Sequence, residues 1–310
     1  MEFVLGVDAG GTFFRVRACS LDGIVLGEDK KDSLGYFTEN KERFLSGFKK
    51  NISNCISIFN GDFSDCLFMV AGVSGIDNEE DRFALEKSLE AIIGCEVSCK
   101  NDAELANELI NGRVGILLNS GTGSIVYGTN EQGMKQRIGG WPLRAFGDEG
   151  SGAWVALKAI RFLARWFDGL VPESPLIQKL LKQLSIKDSK DFMDFCLSYT
   201  SSQLAKIGPL VDEAAEEGDK EAISILTQAA FESYTLVTEL AKKLGYKRMD
   251  IFRVGLWGSN ILKSNIHLQS FSRLLKDSYP RAIIHYSQEQ LICFIARKAV
   301  KFAGGEIDRD

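Results

Sequence analysis

The sequence has few of the residues that several common catalytic sites require. Among 310 residues there are two histidines, His267 and His285, so a histidine-based zinc site or a serine–histidine triad has little support. The seven cysteines are dispersed and no Cys-x-x-Cys pair occurs, which favours reduced, mostly buried thiols over a metal loop. A catalytic base in this chain is therefore expected to be a carboxylate.

Long apolar runs and long basic runs are also missing. No apolar stretch approaches the roughly 20 residues that a membrane-spanning helix needs. Lys and Arg are scattered and the net charge is −5, which gives no electrostatic support for nucleic-acid binding. The N-terminal segment carries Glu2 and lacks the basic start of a signal peptide. We therefore expect a cytoplasmic protein that binds neither membrane nor nucleic acid.

The composition is that of a globular protein of two domains. The hydrophobic share is 45% and the charged share 25%, and 310 residues can form two cores of ordinary size. Only five prolines occur, and no Pro/Ser-rich linker separates the halves. The hinge is therefore expected at a short junction near residues 112–115.

The order of predicted elements repeats in the two halves. The first half predicts three strands, then helix, strand, helix, strand and helix. The second half again groups three strands, which begin near Val114, Ser124 and Lys135, before a helix over 151–166. Residues 172–245 are expected to be largely helical, and a strand over 251–256 and a last helix over 289–302 follow. The repeat of pattern without repeat of sequence indicates a duplicated fold.

The apolar residues of the helix predicted over 78–93 indicate which of its faces packs against the core. The residues expected to face the core are Phe83, Leu85, Leu89 and Ile92.

Two glycine-rich turns are the most informative feature. Asp8-Ala-Gly-Gly-Thr12 and Ser120-Gly-Thr-Gly-Ser124 each follow a short apolar run and precede another strand-like run. Glycines let the backbone bring its N–H groups close to an anion, and a neighbouring hydroxyl adds a donor. Two such turns at corresponding places predict a nucleotide bound by both halves. The GxxxxGK[ST] and GxGxxG nucleotide motifs are absent.

Two carboxylates follow predicted strands. Asp8 is suited to hold Mg²⁺ beside phosphate oxygens, although an Asp here is also typical of a plain turn. Asp102 follows the strand that ends at Lys100, where a catalytic base would face a crevice. The sequence Asn101-x-x-Glu104 equally fits a helix capping box, so both interpretations of this segment stay open.

The richest stretch runs from Gly139 to Gly152 and contains Trp141, Asp148 and Glu149. Its glycines favour close approach of the backbone to a ligand, and its carboxylates suit sugar hydroxyls or metal-bound water. Capping of the next helix is the alternative role of the carboxylates. Further on, Gly258-Ser259 after the strand at 251–256 suits a third nucleotide contact.

Taken together, these segments resemble the BadF/BadG/BcrA/BcrD ATPase family, and within it the N-acetylglucosamine kinases and related broad-specificity hexokinases. The segments that carry the resemblance are Gly6–Thr12, Val70–Gly75, Asn101–Ala103, Asn119–Ser124, Gly139–Trp141, Gly147–Ser151, Ala214–Asp219 and Gly258–Ser259. Their order and spacing along nearly the whole chain make the resemblance specific.

The resemblance implies an α/β, duplicated ribonuclease H-like (actin/hexokinase-like) fold with an ATP and sugar cleft between two domains. These domains are expected over residues 1–113 and, with a helical insertion, over 114–288, and the helix of 289–310 is expected to pack back on the first. The implied reaction is transfer of the γ-phosphoryl group of Mg·ATP to the 6-hydroxyl of a hexose or amino sugar, with N-acetylglucosamine as the leading acceptor. The implied assembly is a homodimer.

The resemblance also assigns roles to residues. Asp102 matches the catalytic base. Asp8, from its place at the end of the first strand, stays the candidate for holding Mg²⁺, directly or through water. The phosphate loops are Gly10, Gly11, Thr12 and Gly121, Thr122, Gly123, and the adenosine contacts are Ala215, Gly258 and Ser259. The sugar contacts are Gly35, Asn40, Ser74, Asp102, Ser124, Gly140, Trp141 and Asp148.

The sequence departs from the family pattern in segment 33–40, where members often carry Gly-Pro-x-Asn. Here Gly35 marks the expected position and Asn40 is a displaced candidate for the sugar-binding Asn. Two alternatives stay open on the same fold: an ATPase that activates a 2-hydroxyacyl-CoA dehydratase through an iron–sulfur cluster, and a non-catalytic sugar sensor.

Overall fold

A computed structural model of the chain describes residues 1–11, 13–34, 40–76, 78–141, 147–199, 203–204 and 206–305. The chain divides into two compact units. The first joins Met1–Leu109 to the segment that begins at Ser287, and the second spans Ile110–Tyr286. The first unit is therefore discontinuous in sequence.

The first unit is built on a five-stranded mixed sheet. Its strands are β1 (Phe3–Ala9), β2 (Phe13–Cys19), β3 (Val25–Asp32), β4 (Cys66–Val73) and β5 (Glu96–Lys100), in the order β3-β2-β1-β4-β5. The β1–β2 and β2–β3 pairs are antiparallel, whereas β1–β4 and β4–β5 are parallel. The carboxyl ends of β1, β4 and β5 consequently meet at one edge.

Helices cover both faces of this sheet. They are α1 (Lys41–Ser57), α2 (Glu79–Ile93), α3 (Asp102–Asn111, which runs on into the second unit) and, from the end of the chain, α11 (Leu291–Phe302). Alternation along β1 points Phe3, Leu5 and Val7 into a core shared with α1 and α2. Gly6 points the other way, and a Cβ built on it would lie 2.7 Å from the backbone N of Ala296 in α11. The last helix therefore rests directly on β1.

The second unit repeats the sheet. Its strands are β6 (Gly115–Ser120), β7 (Ser124–Thr129), β8 (Lys135–Gly139), β9 (Arg253–Trp257) and β10 (Ile283–Tyr286), in the order β10-β9-β6-β7-β8. The β6–β7 and β7–β8 pairs are antiparallel, and β6–β9 and β9–β10 are parallel. The two sheets have the same topology, with β6 in the place of β1.

The remaining helices belong to the second unit. They are α4 (Gly152–Phe167), α5 (Pro175–Leu184), α6 (Ser189–Ser198), α7 (Gly208–Glu216), α8 (Lys220–Lys243), α9 (Ser259–Lys263) and α10 (Asn265–Ser278). The long helix α8 packs against α10 and α4 and against strands β6, β7 and β8. It joins the helical core to the core beneath the sheet.

Two details of the sequence-based expectations are corrected. Strand β10 was not anticipated, because its four residues show no buried periodicity and are half-buried or exposed. Phe83 was expected to face the core but is 61% exposed, with Lys87 Nζ over its ring. The buried residues of α2 are Leu85, Leu89 and Ile93, spaced four apart on a face that excludes position 83.

Among the described residues, no helix is both long enough and apolar enough to cross a bilayer.

Candidate active site

The carboxyl edge of the first sheet brings Asp8 and Asp102 together. Asp8 pairs with Gly72 of β4, and Gly72 pairs with Lys100 of β5, so these three residues lie at one level of the sheet. Asp102 starts α3 two residues beyond Lys100. Both carboxylates approach the glycine turn, since a Cβ built on Gly10 would lie 3.5 Å from Asp8 Oδ1 and 3.8 Å from Asp102 Oδ2.

The turn itself is held by backbone and side-chain hydrogen bonds. Gly10 N–H donates to the carbonyl of Phe13 over 3.1 Å and closes the β1–β2 hairpin. The hydroxyl of Ser33 donates to the carbonyl of Gly10 over 2.8 Å. Gly11, at the tip, is exposed and has no atom within 4 Å of a built Cβ. Open space therefore adjoins the tip of this turn, as a ligand-binding loop requires.

Asp8 is an unusual carboxylate because it is buried inside a strand. It is 7% exposed, and burial raises its pKa to about 6 even though the Arg15 guanidinium, 3.3 Å from Oδ2, opposes the shift. A bound cation that replaced the proton would stabilise the negative charge of such a buried carboxylate.

Asn101 caps helix α3, and Asp102 directs a carboxylate oxygen towards the Gly10 turn. Asn101 Oδ1 accepts a hydrogen bond of 2.9 Å from the N–H of Ala103, so Asn101 caps α3. Asp102 Oδ1 accepts from the same N–H over 2.9 Å, while its Oδ2 is the oxygen nearer Gly10. Glu104 lies 3.5 Å from Lys100 Nζ. Capping by Asn101 thus leaves the outer oxygen of Asp102 directed towards the turn.

Four other predicted residues belong to the first unit. Ser74 is half-buried just beyond β4, and its N–H donates to the carbonyl of Ala9 over 3.0 Å, which places it beside the same turn. Asn40 is exposed and caps α1 by accepting from Arg43 N–H over 2.8 Å. Thr12 and Gly35 lie outside the described residues.

The second glycine turn sits on the first turn of α4. The N–H of Gly121 donates to the carbonyl of Gly123 over 3.0 Å. The N–H groups of Gly152 and Ala153 donate to the carbonyls of Gly121 and Thr122 over 2.8 and 3.1 Å. These bonds satisfy the first two N–H groups of α4 and hold the turn at the positive end of the α4 dipole.

Asp148 is hydrogen-bonded to the end of this turn. Its backbone is left-handed, with φ of 62°, and its Oδ1 accepts a 2.8 Å hydrogen bond from Ser124 N–H. The hydroxyl of Ser124 donates to the carbonyl of Glu149 over 2.7 Å, and Gly140 N–H donates to the carbonyl of Ser124 over 2.8 Å. Three predicted sugar contacts, Ser124, Gly140 and Asp148, are therefore neighbours.

Trp141 continues from Gly140 and presents its indole ring to solvent. It is 62% exposed, and the guanidinium of Arg137 lies 5.5 Å from its ring centroid. An exposed aromatic surface beside the Ser124 cluster suits stacking on a ligand ring.

The turn at Gly258 touches the second glycine turn. Gly258 has φ of 98°, and a Cβ built on it would lie 2.4 Å from the carbonyl carbon and oxygen of Ser120. Only glycine fits this position without a shift of backbone. Ser259 then begins α9. Gly258 and Gly121 thus form one continuous backbone surface.

Ala215 is not brought to this surface by any contact in the described residues. It is 5% exposed and belongs to the helical core of α4, α5, α7 and α8. Its side chain has little access to a ligand, so its role as an adenosine contact stays a prediction.

A buried polar network behind the turn was missed by the sequence analysis. Asn260 Nδ2 donates to Ser120 Oγ and to the Gly150 carbonyl over 3.0 and 2.9 Å. His267 is fully buried, 3.4 Å from Asn260 Nδ2 through Nδ1 and 2.9 Å from Ser233 Oγ through Nε2. Burial lowers the His267 pKa to about 4, so the ring is neutral at physiological pH. The only sequence signal was Asn260 itself, two residues after the glycine.

The donors at Asp8 fit Mg²⁺ held beside a phosphate. Within the described residues, no group of three or more His, Cys, Asp and Glu side chains assembles into a metal cage. Mg²⁺ usually binds through one or two carboxylates and completes its coordination with water and phosphate oxygens. A buried Asp8 at the glycine turn offers one such carboxylate.

A family model and two known proteins match much of the chain. The family model described as the BadF/BadG/BcrA/BcrD ATPase family matches residues 5–289. N-acetyl-D-glucosamine kinase of Dictyostelium discoideum is 31% identical over 221 residues, covering 69% of each chain. N-acetylmuramic acid/N-acetylglucosamine kinase of Clostridium acetobutylicum is 29% identical over 291 residues, covering 92% of this chain and 94% of the relative.

A solved structure gives the same fold. A Chromobacterium violaceum protein described as a candidate N-acetylglucosamine kinase has a TM-score of 0.75 at 23% identity, covering 96% of this chain and 98% of its own. The duplicated, two-domain α/β fold expected from the sequence, actin-like and hexokinase-like, is thereby confirmed. The resemblance stated from the motifs is confirmed as well: the chain belongs to the BadF/BadG/BcrA/BcrD ATPase family.

Proposed function

We propose that the protein is an ATP-dependent sugar kinase that transfers the γ-phosphoryl group to the 6-hydroxyl of an amino sugar or hexose, with N-acetylglucosamine as the leading acceptor. The observation that carries the proposal is the convergence of Asp8 and Asp102 on the Gly10 turn. The two relatives named above are kinases of N-acetylglucosamine, and one also of N-acetylmuramic acid.

In this proposal Asp102 is the general base. Its Oδ2 is directed towards the turn while Oδ1 is held by Ala103 N–H, which fixes the orientation of the carboxylate. A base placed this way takes the proton of the attacking hydroxyl as the phosphoryl group arrives, a contribution of about 10²–10⁴-fold to rate. Phosphoryl transfer otherwise depends on positioning and charge stabilisation.

The glycine turns would bind the phosphates through backbone N–H groups. In the first unit Gly11 would do so, with Thr12 as a predicted partner, while Gly10, whose N–H is bonded to the Phe13 carbonyl, would shape the turn. In the second unit Thr122 and Gly123 would do so, and the α4 dipole would add to the attraction. Gly121, whose N–H is bonded to the Gly123 carbonyl, would shape that turn. Asp8 would hold Mg²⁺, directly or through water, and the cation would neutralise charge on the phosphates. Gly258 and Ser259 would contact the adenosine.

The sugar would bind near Ser74 and Asp102 in the first unit and near Ser124, Gly140, Trp141 and Asp148 in the second. One oxygen of Asp148 accepts a hydrogen bond from Ser124 N–H, which orients the carboxylate before a sugar hydroxyl binds. Asn40 caps α1 through its Oδ1, which leaves its amide group as the part available to a sugar. We also propose a cytoplasmic homodimer, which size-exclusion chromatography with light scattering tests.

The test is ADP release from Mg·ATP with N-acetylglucosamine, glucosamine, N-acetylmuramate, N-acetylmannosamine, glucose and mannose, beside a control without sugar. The proposal expects ADP release to depend on sugar, with N-acetylglucosamine highest in kcat/KM, and phosphorus NMR to place the phosphate on the 6-hydroxyl. ADP release that ignores every sugar would instead favour an activator ATPase, and no ADP release with any sugar would favour a sensor.

A further inference from the structure

Two thiols meet at the amino ends of β4 and β5, at the opposite end of these strands from Asp8 and Asp102. Cys66 is the first residue of β4, and Cys95 directly precedes β5. Their Sγ atoms lie 3.4 Å apart, and both are free thiols. No other pair of thiols in the described part of the chain lies within hydrogen-bonding distance. This contact therefore distinguishes Cys66 and Cys95 from the other five cysteines.

The separation of the two sulfurs suits a disulfide. Strands β4 and β5 are parallel, with Phe68 paired to Glu96, so Cys66 and Cys95 lie about one residue out of register. The register of β4 against β1 shifts between Cys66 and Phe68, so Cys66 lies at a local irregularity of the strand. A disulfide holds its sulfurs about 2 Å apart. The two thiols, 3.4 Å apart, are close enough for rotation of the side chains to bring the sulfurs to bonding distance.

The two sulfurs differ in access and in charge. Cys66 is 5% exposed, whereas Cys95 is half-buried, so a reagent in solution reaches Cys95 first. The hydrogen bond between the thiols lowers the pKa of Cys95 and raises that of Cys66. Glu90 and Glu96 oppose the lowering at Cys95 and give its surroundings negative charge. We therefore expect the Cys95 thiolate to attack a disulfide reagent first, and Cys66 to attack the resulting mixed disulfide.

We propose that Cys66 and Cys95 form a dithiol modification site that exchanges with small-molecule disulfides to give an internal disulfide. The Cys95 thiolate attacks one sulfur of the reagent, forming a mixed disulfide and releasing one reagent thiolate. Cys66, after losing its proton, attacks the Cys95 sulfur and releases the second thiolate. The protein loses two protons and two electrons, and the reagent disulfide is reduced to two thiols.

The site lies at the opposite end of β4 from Ser74. The bond would link residues 29 positions apart and enclose α2 in a covalent loop. Because the carboxyl edge of the sheet is not touched, exchange is expected to restrain α2 and to leave the glycine turns as they are.

The test treats the full-length reduced protein with cystamine, a cationic disulfide suited to acidic surroundings. Intact mass spectrometry is expected to show loss of two hydrogens, and tryptic mapping to show a peptide pair joined through Cys66 and Cys95. Arg82 and Lys87 lie between the two cysteines, so trypsin separates the peptides 51–82 and 88–100 unless they are linked. These peptides also contain Cys55 and Cys99, so fragmentation of the linked pair is needed to assign the bond to Cys66 and Cys95. Dithiothreitol is expected to reverse the change.

Two variants assign the order of attack. Cys66→Ser is expected to retain one cysteamine group as a stable mixed disulfide at Cys95, and Cys95→Ser to form neither this adduct nor the link. Cys293→Ser is the matched control, since Cys293 is a half-buried thiol beside Arg17, and it is expected to form the link as the wild type does. Wild-type protein that accumulates the Cys95 adduct without the Cys66–Cys95 link, or that links a different pair, would overturn the proposal.

Discussion

At the scale of single residues, Asp102 is the group on which the proposed chemistry depends most. Asp102→Asn keeps the side-chain shape and the acceptor for Ala103 N–H, so the fold and ATP binding are expected to survive. Turnover is expected to fall by about 10²–10⁴-fold, because an amide cannot take the hydroxyl proton. Steady-state ADP release measures kcat, and nucleotide titration measures binding.

Glu104→Gln is the matched control for Asp102. It removes a carboxylate two residues away that faces Lys100, and kcat is expected to stay near that of the wild type. Equal losses in both variants would assign the effect to the charge or stability of α3 rather than to a base.

Asp8 couples folding stability to pH. Burial raises its pKa from 3.8 to about 6, so between these values the folded protein holds a proton that the unfolded chain releases. The free energy of unfolding therefore falls as pH rises through this window, by up to about 3 kcal/mol once Asp8 is ionised. Asp8→Asn is expected to be more stable than wild type at pH 8 and to lose that advantage near pH 4.

Urea unfolding of both proteins across this pH range checks the prediction. A constant difference in unfolding free energy at all pH values would contradict it. The same variant is expected to lose Mg²⁺-dependent ADP release, because the proposed Mg²⁺ site needs the negative charge of Asp8.

At the scale of elements, the contact between Gly258 and Ser120 fixes the second glycine turn. Gly258→Ala puts a methyl group where 2.4 Å separates the built Cβ from the Ser120 carbonyl, at φ of 98°. The backbone of the turn must shift, and the KM for ATP is expected to rise more than the KM for sugar. Thermal unfolding is expected at a lower temperature as well, by an amount corresponding to roughly 1–3 kcal/mol.

Gly218→Ala is a control that introduces the backbone strain of a positive φ without a steric overlap. Gly218 also has positive φ, 86°, but nothing lies within 4 Å of its built Cβ. This variant is expected to lose about 1 kcal/mol of stability and to keep both KM values. A similar rise in the KM for ATP in the two variants would contradict the assigned role of Gly258.

The elements also show which features could be predicted from sequence. The strands β1, β4, β6 and β9 are buried apolar runs ended by glycine or polar residues, so their pattern and the turns after them were legible. Strand β10 has half-exposed residues and is paired on one side only, so only its tertiary partner β9 identifies it. Phe83 is apolar yet lies off the buried face of α2, and only the positions of its neighbours reveal this.

The same reasoning applies to the candidate site. Asp8, Asp102 and the glycine turns were recognised because strand ends and motif order mark them. Asn260 and His267 act behind the turn through contacts over 110 and 34 residues of sequence, which no local pattern encodes. The sequence therefore indicated where strand ends and glycine turns lie, but it did not indicate the buried polar groups that hold the second turn in place.

At the scale of the whole molecule, the first unit depends on the last helix. Gly6 and Ala296 are in backbone contact, and α11 covers β1, β2 and β4. A chain ending at Tyr286 would leave this apolar face of the sheet uncovered. Hydrogen exchange is expected to show amides of β1 and β4 losing most of their protection, while amides of β6 and β9 keep theirs.

Gly6→Ala in the full chain is a milder version of this test. Its Cβ would meet Ala296 N at 2.7 Å, and the loss of protection is expected in the first unit only. Uniform loss over both units, in either variant, would indicate that they unfold together.

The division of the first unit between the two ends of the chain has a consequence for synthesis on the ribosome. The second unit, a single continuous segment, can complete its fold as soon as Tyr286 has left the exit tunnel. Translation of the first unit begins earlier, but one face of β1 and β4 stays uncovered until α11 emerges. The unit that carries both catalytic candidates, Asp8 and Asp102, thus begins translation before the second unit but can finish folding only after it, once α11 has left the exit tunnel.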